Sequence, residues 1–210
     1  MTTPLFTIGI AAFNSIDHIE KSIKSALAQT VGPLEIVVVD DCSNDGTYEK
    51  LSDISINHKE IRIFRNNRNY GVGYVRNVII NEALGEFLAF FDDDDESVKH
   101  RLEFQYKRII EYEKNHPNSS LIICHSSRLV SYPNGTIRDE VTLGTKVTSK
   151  CPSGLSVAQR ILLGKPLNDG YGAIPTCSQM ARLSTYQSVG GFDPDFRRSE
   201  DTDLSIRLAL

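Results

Sequence analysis

Gly85-Glu86-Phe87-Leu88-Ala89-Phe90-Phe91-Asp92-Asp93-Asp94-Asp95-Glu96 joins a continuous apolar run to five consecutive acids. A short apolar run such as Phe87 to Phe91, bounded by Gly85 on one side and charge on the other, reads as a strand buried on both faces. The acids then stand at its carboxyl end. Ligands of open α/β sheets bind outside the carboxyl ends of the strands, so this end is where a site is expected. If Asp92 and Asp94 point the same way, their carboxylates lie roughly 6 to 7 Å apart and repel by about 2.5 kcal/mol at an effective dielectric of ~20. A divalent cation would reverse that sign, because Mg²⁺ and Mn²⁺ take hard oxygen ligands from one or two carboxylates together with substrate phosphates. The alternative is an acidic helix start, with Asp95, Glu96 and Ser97 opening the following helix and favouring its dipole.

The preceding chain has the pattern that such a strand requires. Phe6 to Phe13 reads as a first buried strand, followed by a helix from Ile16 with apolar positions Ile16, Ile19, Ile23 and Leu27. Leu34 to Val39 is a second buried strand, ending at Asp40-Asp41. Asp45 or Ser43 is available to cap a helix running to about Ile56. Ile61 to Phe64 is a third strand, and a helix from Val72 to Leu84 leads back to the acid-tipped run. Alternating strands and helices call for a largely parallel sheet with helices on both faces. Strand tips then share one rim, which brings Asp40 and Asp41 to the same edge as Asp92 to Asp95. Between them lies the polar loop Arg65 to Gly73. Its Gly71-x-Gly73 is no dinucleotide fingerprint; it reads either as a tight turn that aims Arg76 or as a simple surface loop.

Beyond this half the pattern loosens. Val98 to Tyr112 is an amphipathic helix, and Leu121 to Ile123 a further strand. Arg128 to Val141 is a hairpin whose Asn134-Gly135 pair suits a type I′ turn. Thr142 to Pro152 and Asn168 to Gly172 read as loops, Leu155 to Leu163 as a short helix, and Ala181 to Val189 as a helix stopped by Gly190-Gly191. Ser199-Glu200-Asp201-Thr202-Asp203 opens a last helix. Its acids serve either as dipole partners or, in one case, as a general base facing the cleft.

With 210 residues, the chain suits one α/β domain, a nucleotide-binding half over 1–117 and a second half over 118–210. The charge of −4, with 24% charged and 40% hydrophobic residues, suggests neither disorder nor affinity for nucleic acid. The four cysteines are widely spaced with no C-x-x-C pair, so neither a zinc site nor a disulfide framework is expected. No apolar run reaches the ~18 residues of a membrane span. A cytoplasmic protein is expected, with the inner face of the membrane as a place of peripheral contact.

Four motifs recur in order: Ile8 to Asn14 with Ser25 to Gln29, Val37 to Thr47, Asn69 to Asn77, and Gly85 to Asp95. A fifth, Gly190-Gly191-Phe192-Asp193 with Glu200 to Leu204, completes the set. In these the chain resembles the nucleotide-sugar-dependent glycosyltransferases of family 2, and the resemblance covers nearly its whole length. It implies the GT-A fold, an inverting transfer from a nucleotide-diphosphate sugar, a UDP-sugar first among them, and a saccharide or lipid-linked saccharide acceptor. It implies that Asp41 contacts the donor base, with Ala11 and Phe13 lining that pocket and Arg76 near the nucleotide. Asp92-x-Asp94 resembles the D-x-D element, with Asp94 on Mn²⁺ or Mg²⁺ and Asp93 at the donor ribose. Asp201 resembles the family's catalytic base. Family members usually continue past the last motif, so a truncated C-terminal side is expected, and the absence of tryptophan argues against a processive polymer synthase. Two other readings stand beside this one: a nucleotide-sugar-binding module without catalysis, and a phosphohydrolase of the haloacid dehalogenase type, which the late position of the D-x-D fits poorly.

Overall fold

A computed structural model of the chain describes residues 3–119, 121–142, 151–167 and 174–210. The first half follows the expected alternation: β1 (Phe6–Ala12), α1 (Ile19–Leu27), β2 (Leu34–Asp40), α2 (Thr47–Ser55), β3 (Ile61–Arg65), α3 (Val72–Glu82), β4 (Phe87–Asp92) and α4 (Arg101–Asn115). The strands β3, β2, β1 and β4 lie side by side, all parallel. Beyond β4 the sheet continues with β8 (Gln179–Arg182) and β5 (Ile123–His125), each pairing antiparallel. A separate hairpin is formed by β6 (Arg128–Ser131) and β7 (Ile137–Glu140). The remaining helices are α5 (Leu155–Leu163), α6 (Leu183–Ser188) and α7 (Glu200–Ala209).

Helices cover both faces, as expected, and the pleat decides which residues they meet. Phe87, Ala89 and Phe91 of β4 join Ile8 and Ile10 of β1 in a core with α1, α2 and α4. Leu88 and Phe90 face the other way, into a core with Val75 and Ile79 of α3, Tyr186 of α6, and Leu204 of α7. Both cores sit directly beneath the strand tips. On the second face α3 lies close: a Cβ built on Gly9 would collide with the Ile79 side chain. Gly85 is equally constrained, since a Cβ there would lie 2.6 Å from the backbone nitrogen of Thr7.

Four expectations are corrected. Asp95, Glu96 and Ser97 do not open a helix; α4 starts at Arg101, and the acid in its first turn is Glu103. The segment before it is held out of the helix by α1, through Ser97 N–H donating to Ser25 Oγ (3.0 Å) and Gln29 Nε2 donating to Val98 O (3.0 Å). Ala181 and Arg182 belong to a strand, because Arg182, Ala181 and Met180 pair with Phe87, Leu88 and Ala89 and so cover the edge of β4. Tertiary pairing there outweighs helical spacing. The hairpin turn is not type I′: Gly135 N–H donates to Tyr132 O and only Gly135 of the loop has positive φ, the pattern of a three-residue loop with a glycine bulge. Pro133, with φ fixed near −65°, instead favours the first central position of the turn Tyr132–Gly135, which leaves Asn134 at negative φ. Ser199 precedes α7 in the left-handed region and its side chain caps nothing. The loop expected over Asn168 to Gly172 lies outside the described residues, as does most of that expected over Thr142 to Pro152.

Candidate active site

The parallel register settles where the acids go. Ala11 stands opposite Asp92 and Ala12 opposite Asp40, so β1 lies between two acid-tipped neighbours on one rim. The tips of β2 and β4 are two strand spacings apart, ~10 Å.

At the β2 tip, Asp41 is buried and fully occupied. Its Oδ1 accepts from Asn66 Nδ2 (2.7 Å) and Tyr70 N–H (3.0 Å), and its Oδ2 from Gly71 N–H (2.8 Å). The carboxylate therefore fixes the loop that leads into α3. Asp40, also buried, accepts from Ser43 N–H and pairs with Arg65. Ala11 is half-buried, while the Phe13 ring is exposed over the same rim.

At the β4 tip the acids diverge, because the strand ends at Asp92 and the chain turns at Asp93-Asp94. Asp93 Oδ2 accepts Phe13 N–H (3.0 Å), which ties this turn to the end of β1. Strand alternation therefore stops at Asp92 and does not carry through to Asp94. Asp92 gathers with Asp95 and Cys177, one ligand atom from each lying within 4.8 Å of the others. Asp94 is exposed and lines a cavity of about 990 Å³ with Asp95 and Glu96. Burial and then neighbouring acids raise the Asp93 and Asp95 carboxyls. Burial, with Asp92 and Asp95 adding, pushes the Cys177 thiol up to about 12. The two carboxylates of this group, Asp92 and Asp95, offer the hard oxygen donors that Mg²⁺ and Mn²⁺ take.

The two halves of the chain meet at Arg76. From α3, its Nη1 donates to Glu200 Oε1 (2.7 Å) and its Nη2 to Asp92 Oδ1 (3.3 Å), with the guanidinium 5.4 Å from the centre of the Phe192 ring. The next residue, Asn77, exchanges two hydrogen bonds with the Phe192 backbone (2.7 and 2.8 Å). A Cβ on Gly191 would collide with the Asn77 side chain, and one on Gly73 would come within 3.3 Å of Asp193 O. The glycines of the third and fifth motifs thus let α3 and the Gly190–Asp193 segment touch, which seats the start of α7 beside the β4 tip. Asp201 is half-buried, its Oδ1 accepting from Thr202 N–H (2.7 Å). Sequence reasoning placed Arg76, Asp92 and Asp201 in the site and Asp95 on its rim, and missed Glu200, Asn77 and Cys177. Glu200 and Asn77 lie inside the quoted motifs, and Asp95 inside the acid run; Cys177 had no signal.

Comparison with known proteins gives a consistent result. The sequence model described as "Glycosyl transferase family 2" matches residues 7–140. A putative teichuronic acid biosynthesis glycosyltransferase of Bacillus subtilis, TuaG, is 33% identical over 108 residues, 51% of this chain and 43% of that protein. Staphylococcus aureus TarS 1–349, solved in complex with UDP-GlcNAc, superimposes with a TM-score of 0.65 at 21% identity, over 97% of this chain and 53% of that one. The mannosyltransferase PcManGT of Pyrobaculum calidifontis, in complex with GDP-Man and Mn²⁺, gives 0.64 at 16% identity, over 99% and 52%. These two likenesses establish the fold, which is of the GT-A type. The chain spans about half of those structures and less than half of TuaG.

Proposed function

Because the chain belongs to glycosyl transferase family 2, we propose that it transfers a sugar from a nucleoside-diphosphate sugar to an acceptor hydroxyl, with inversion and with Mn²⁺ or Mg²⁺ as cofactor. The observation that carries this reading is the Asp92–Arg76–Glu200 bridge, in which Arg76 reaches Glu200 across 124 positions of sequence and so holds the acid-tipped strand and the Glu200-Asp201 pair together. Inversion needs attack from the face opposite the departing diphosphate, so two acidic stations with different tasks must stand on one rim.

Asp201 takes the proton of the attacking hydroxyl. Asp94, exposed at the turn, holds the cation, with Asp92 and Asp95 as the nearby carboxylates. When bound, the cation neutralises charge gathering on the leaving diphosphate. Asp93 meets the donor ribose, and Ala11 and Phe13 border the nucleoside. Asp41, its lone pairs taken by Asn66, Tyr70 and Gly71, shapes the base pocket by fixing that loop. TarS was solved with UDP-GlcNAc and PcManGT with GDP-Man and Mn²⁺, and a UDP-sugar is the donor we favour. The acceptor is a saccharide or a lipid-linked saccharide. No helix among the described residues is long and apolar enough to cross a membrane, so a lipid-linked acceptor would be met by peripheral contact.

The test pairs binding with turnover. UDP-glucose, UDP-GlcNAc and GDP-mannose are screened by thermal shift with and without Mn²⁺, where the correct donor at a hundredfold excess over its Kd stabilises by about 2.7 kcal/mol only with the cation. Asp201→Asn then lowers transfer by about 10²- to 10⁴-fold with donor binding unchanged. Near wild-type transfer by that variant would remove Asp201 from its role. Binding without transfer by the parent chain would leave a nucleotide-sugar-binding module.

A further inference from the structure

Two cavities adjoin along α4. The larger, about 990 Å³, opens at Asp94 and Asp95; the smaller, about 420 Å³, lies among α4, β5, α5 and α7. They share Arg108, Cys124, His125 and Ser127, so Arg108 stands in the wall between them. The donor-side residues Ala11, Phe13 and Asp41 line neither.

Charge sets Arg108 apart. In the smaller cavity it is the one charged side chain among the described lining residues, in company with Ile109, Ile123, Val157, Leu208 and neutral polar groups. His125 is no second cation, since burial, with Arg101 adding, drives it down to about 4. The Cys124 thiol is no counter-charge, since burial pushes it up to about 11. Other half-buried arginines of the chain hold carboxylates: Arg62 with Glu35 and Glu82, Arg128 with Glu140, Arg182 with Glu113, and Arg207 with Asp203. Arg108 makes no ion pair or hydrogen bond among the described residues.

Its position on the helix explains why. Arg101, Gln105 and Arg108 fall at i, i+4 and i+7, one face of α4. Arg101 donates to Phe90 O, Gln179 O and Gln105 Oε1, and Gln105 donates to Cys124 O and Ser178 O. The first two members of the row are spent on the fold, and the third reaches the cavities unspent. Seven residues beyond Arg101, it lies about 10 Å farther along the helix from the β4 tip. The opposite wall includes Ser153 and Gly154 at the start of α5, a helix end with no side-chain cap. The partial positive charge of a helix N-terminus favours the same sign of ligand.

We propose that Arg108 binds an oxyanion, the phosphate or carboxylate of an acidic acceptor, and so selects acceptors that carry such a group away from the hydroxyl that is glycosylated. The acceptor part of this statement rests on the glycosyltransferase reading; the anion site does not. A charge-assisted hydrogen bond of this kind corresponds to about a 10- to 100-fold effect on affinity.

Isothermal titration of the chain with inorganic phosphate and, separately, with acetate is compared between wild type, Arg108→Gln and Arg108→Lys. Saturable binding of at least one anion is expected in wild type and in Arg108→Lys, weakened about 10- to 100-fold in Arg108→Gln. Transfer is then measured to a neutral glycoside, the matching sugar phosphate and the matching uronic acid. Arg108→Gln raises KM about 10- to 100-fold for the charged acceptor that the site prefers, with kcat and neutral-acceptor kinetics unchanged. Which of the two loses identifies the anion. Equal anion binding by wild type and Arg108→Gln, or saturable binding of neither anion by wild type, overturns the proposal. Anion binding lost in Arg108→Gln, with no transfer to any acceptor by wild type, keeps the anion site and removes the glycosyltransferase reading.

Discussion

Removing the Arg76 guanidinium is the most informative perturbation of this fold. Arg76 and Glu200 are each under a tenth exposed, and their 2.7 Å contact lies between α3 and α7. Breaking a buried ion pair by removing one partner costs about 3 to 5 kcal/mol, chiefly because the other charge is left without compensation. Asp92 adds little to that figure, being about a third exposed at 3.3 Å. The Phe192 ring contributes roughly another 0.5 to 1 kcal/mol. Arg76→Met, which keeps the apolar stem, is therefore expected to lose about 3.5 to 6 kcal/mol in urea unfolding, or about 7 to 24 °C in Tm for a chain of this size. Glu200→Met alone leaves Arg76 with only Asp92 and costs somewhat less. The double variant recovers part of either loss, since two apolar side chains replace a pair whose desolvation was expensive. A double-mutant cycle reads the coupling directly. If Arg76→Met costs under about 1 kcal/mol, or if the coupling to Glu200 is under about 0.5 kcal/mol, the bridge does not hold the two halves together and the account of how α7 reaches the site fails.

Three further outcomes follow from single features. His125 is held at about 4 in the folded chain by burial first and Arg101 second, against ~6.5 when unfolded. The unfolded state then binds more protons between those values, so stability falls as pH drops from about 6.5 to 4, by up to about 3 kcal/mol, and His125→Gln flattens that slope in unfolding curves taken across the window. Gly85→Ala is expected to cost about 1 to 3 kcal/mol or more, because the new methyl meets Thr7 backbone rather than a side chain that can turn aside; an unchanged urea midpoint would refute the close approach. Asp41→Ala strips the Tyr70 and Gly71 amides of their shared acceptor, so both should lose protection in hydrogen exchange while the Ile36–Val39 amides keep theirs.

The parallel half of the sheet was legible because its strands are buried on both faces. Runs such as Leu34 to Val39 and Phe87 to Phe91 have no other stable home, and the helices between them carry apolar positions three and four apart. The second half was less so, for physical reasons. Gln179 to Arg182 has neither length nor alternation to mark it as a strand; it is one because β4 needs a partner at Phe87–Ala89. The Asn134-Gly135 pair pointed to the wrong turn because Pro133 restricts the loop from outside the pair. At the site, residue type announced the acids but not their directions. Nothing in Glu200-Asp201 says that Glu200 turns to Arg76, because facing is set by how α7 docks, and that is decided by Gly73 and Asn77, far away in sequence, meeting the Gly191–Asp193 segment.

The pleat of β4 explains why the acids of the run are not interchangeable. Asp92 continues the face of Leu88 and Phe90, which packs on α3, α6 and α7, so its carboxylate meets Arg76. Asp93 leaves the strand in the turn and reaches the end of β1 through Phe13. Shifting the run by one residue would exchange these directions, since side chains alternate strictly along a strand. Arg76 would then lose its second acid and Phe13 its acceptor, although the composition at the tip would be unaltered. The same geometry leaves Asp94 at the exposed part of the turn, unclaimed by either core. Among the described residues the Asp94 carboxylate makes no hydrogen bond or ion pair, while its neighbour Asp93 accepts from Phe13, and that difference is why the proposed cation is assigned to Asp94.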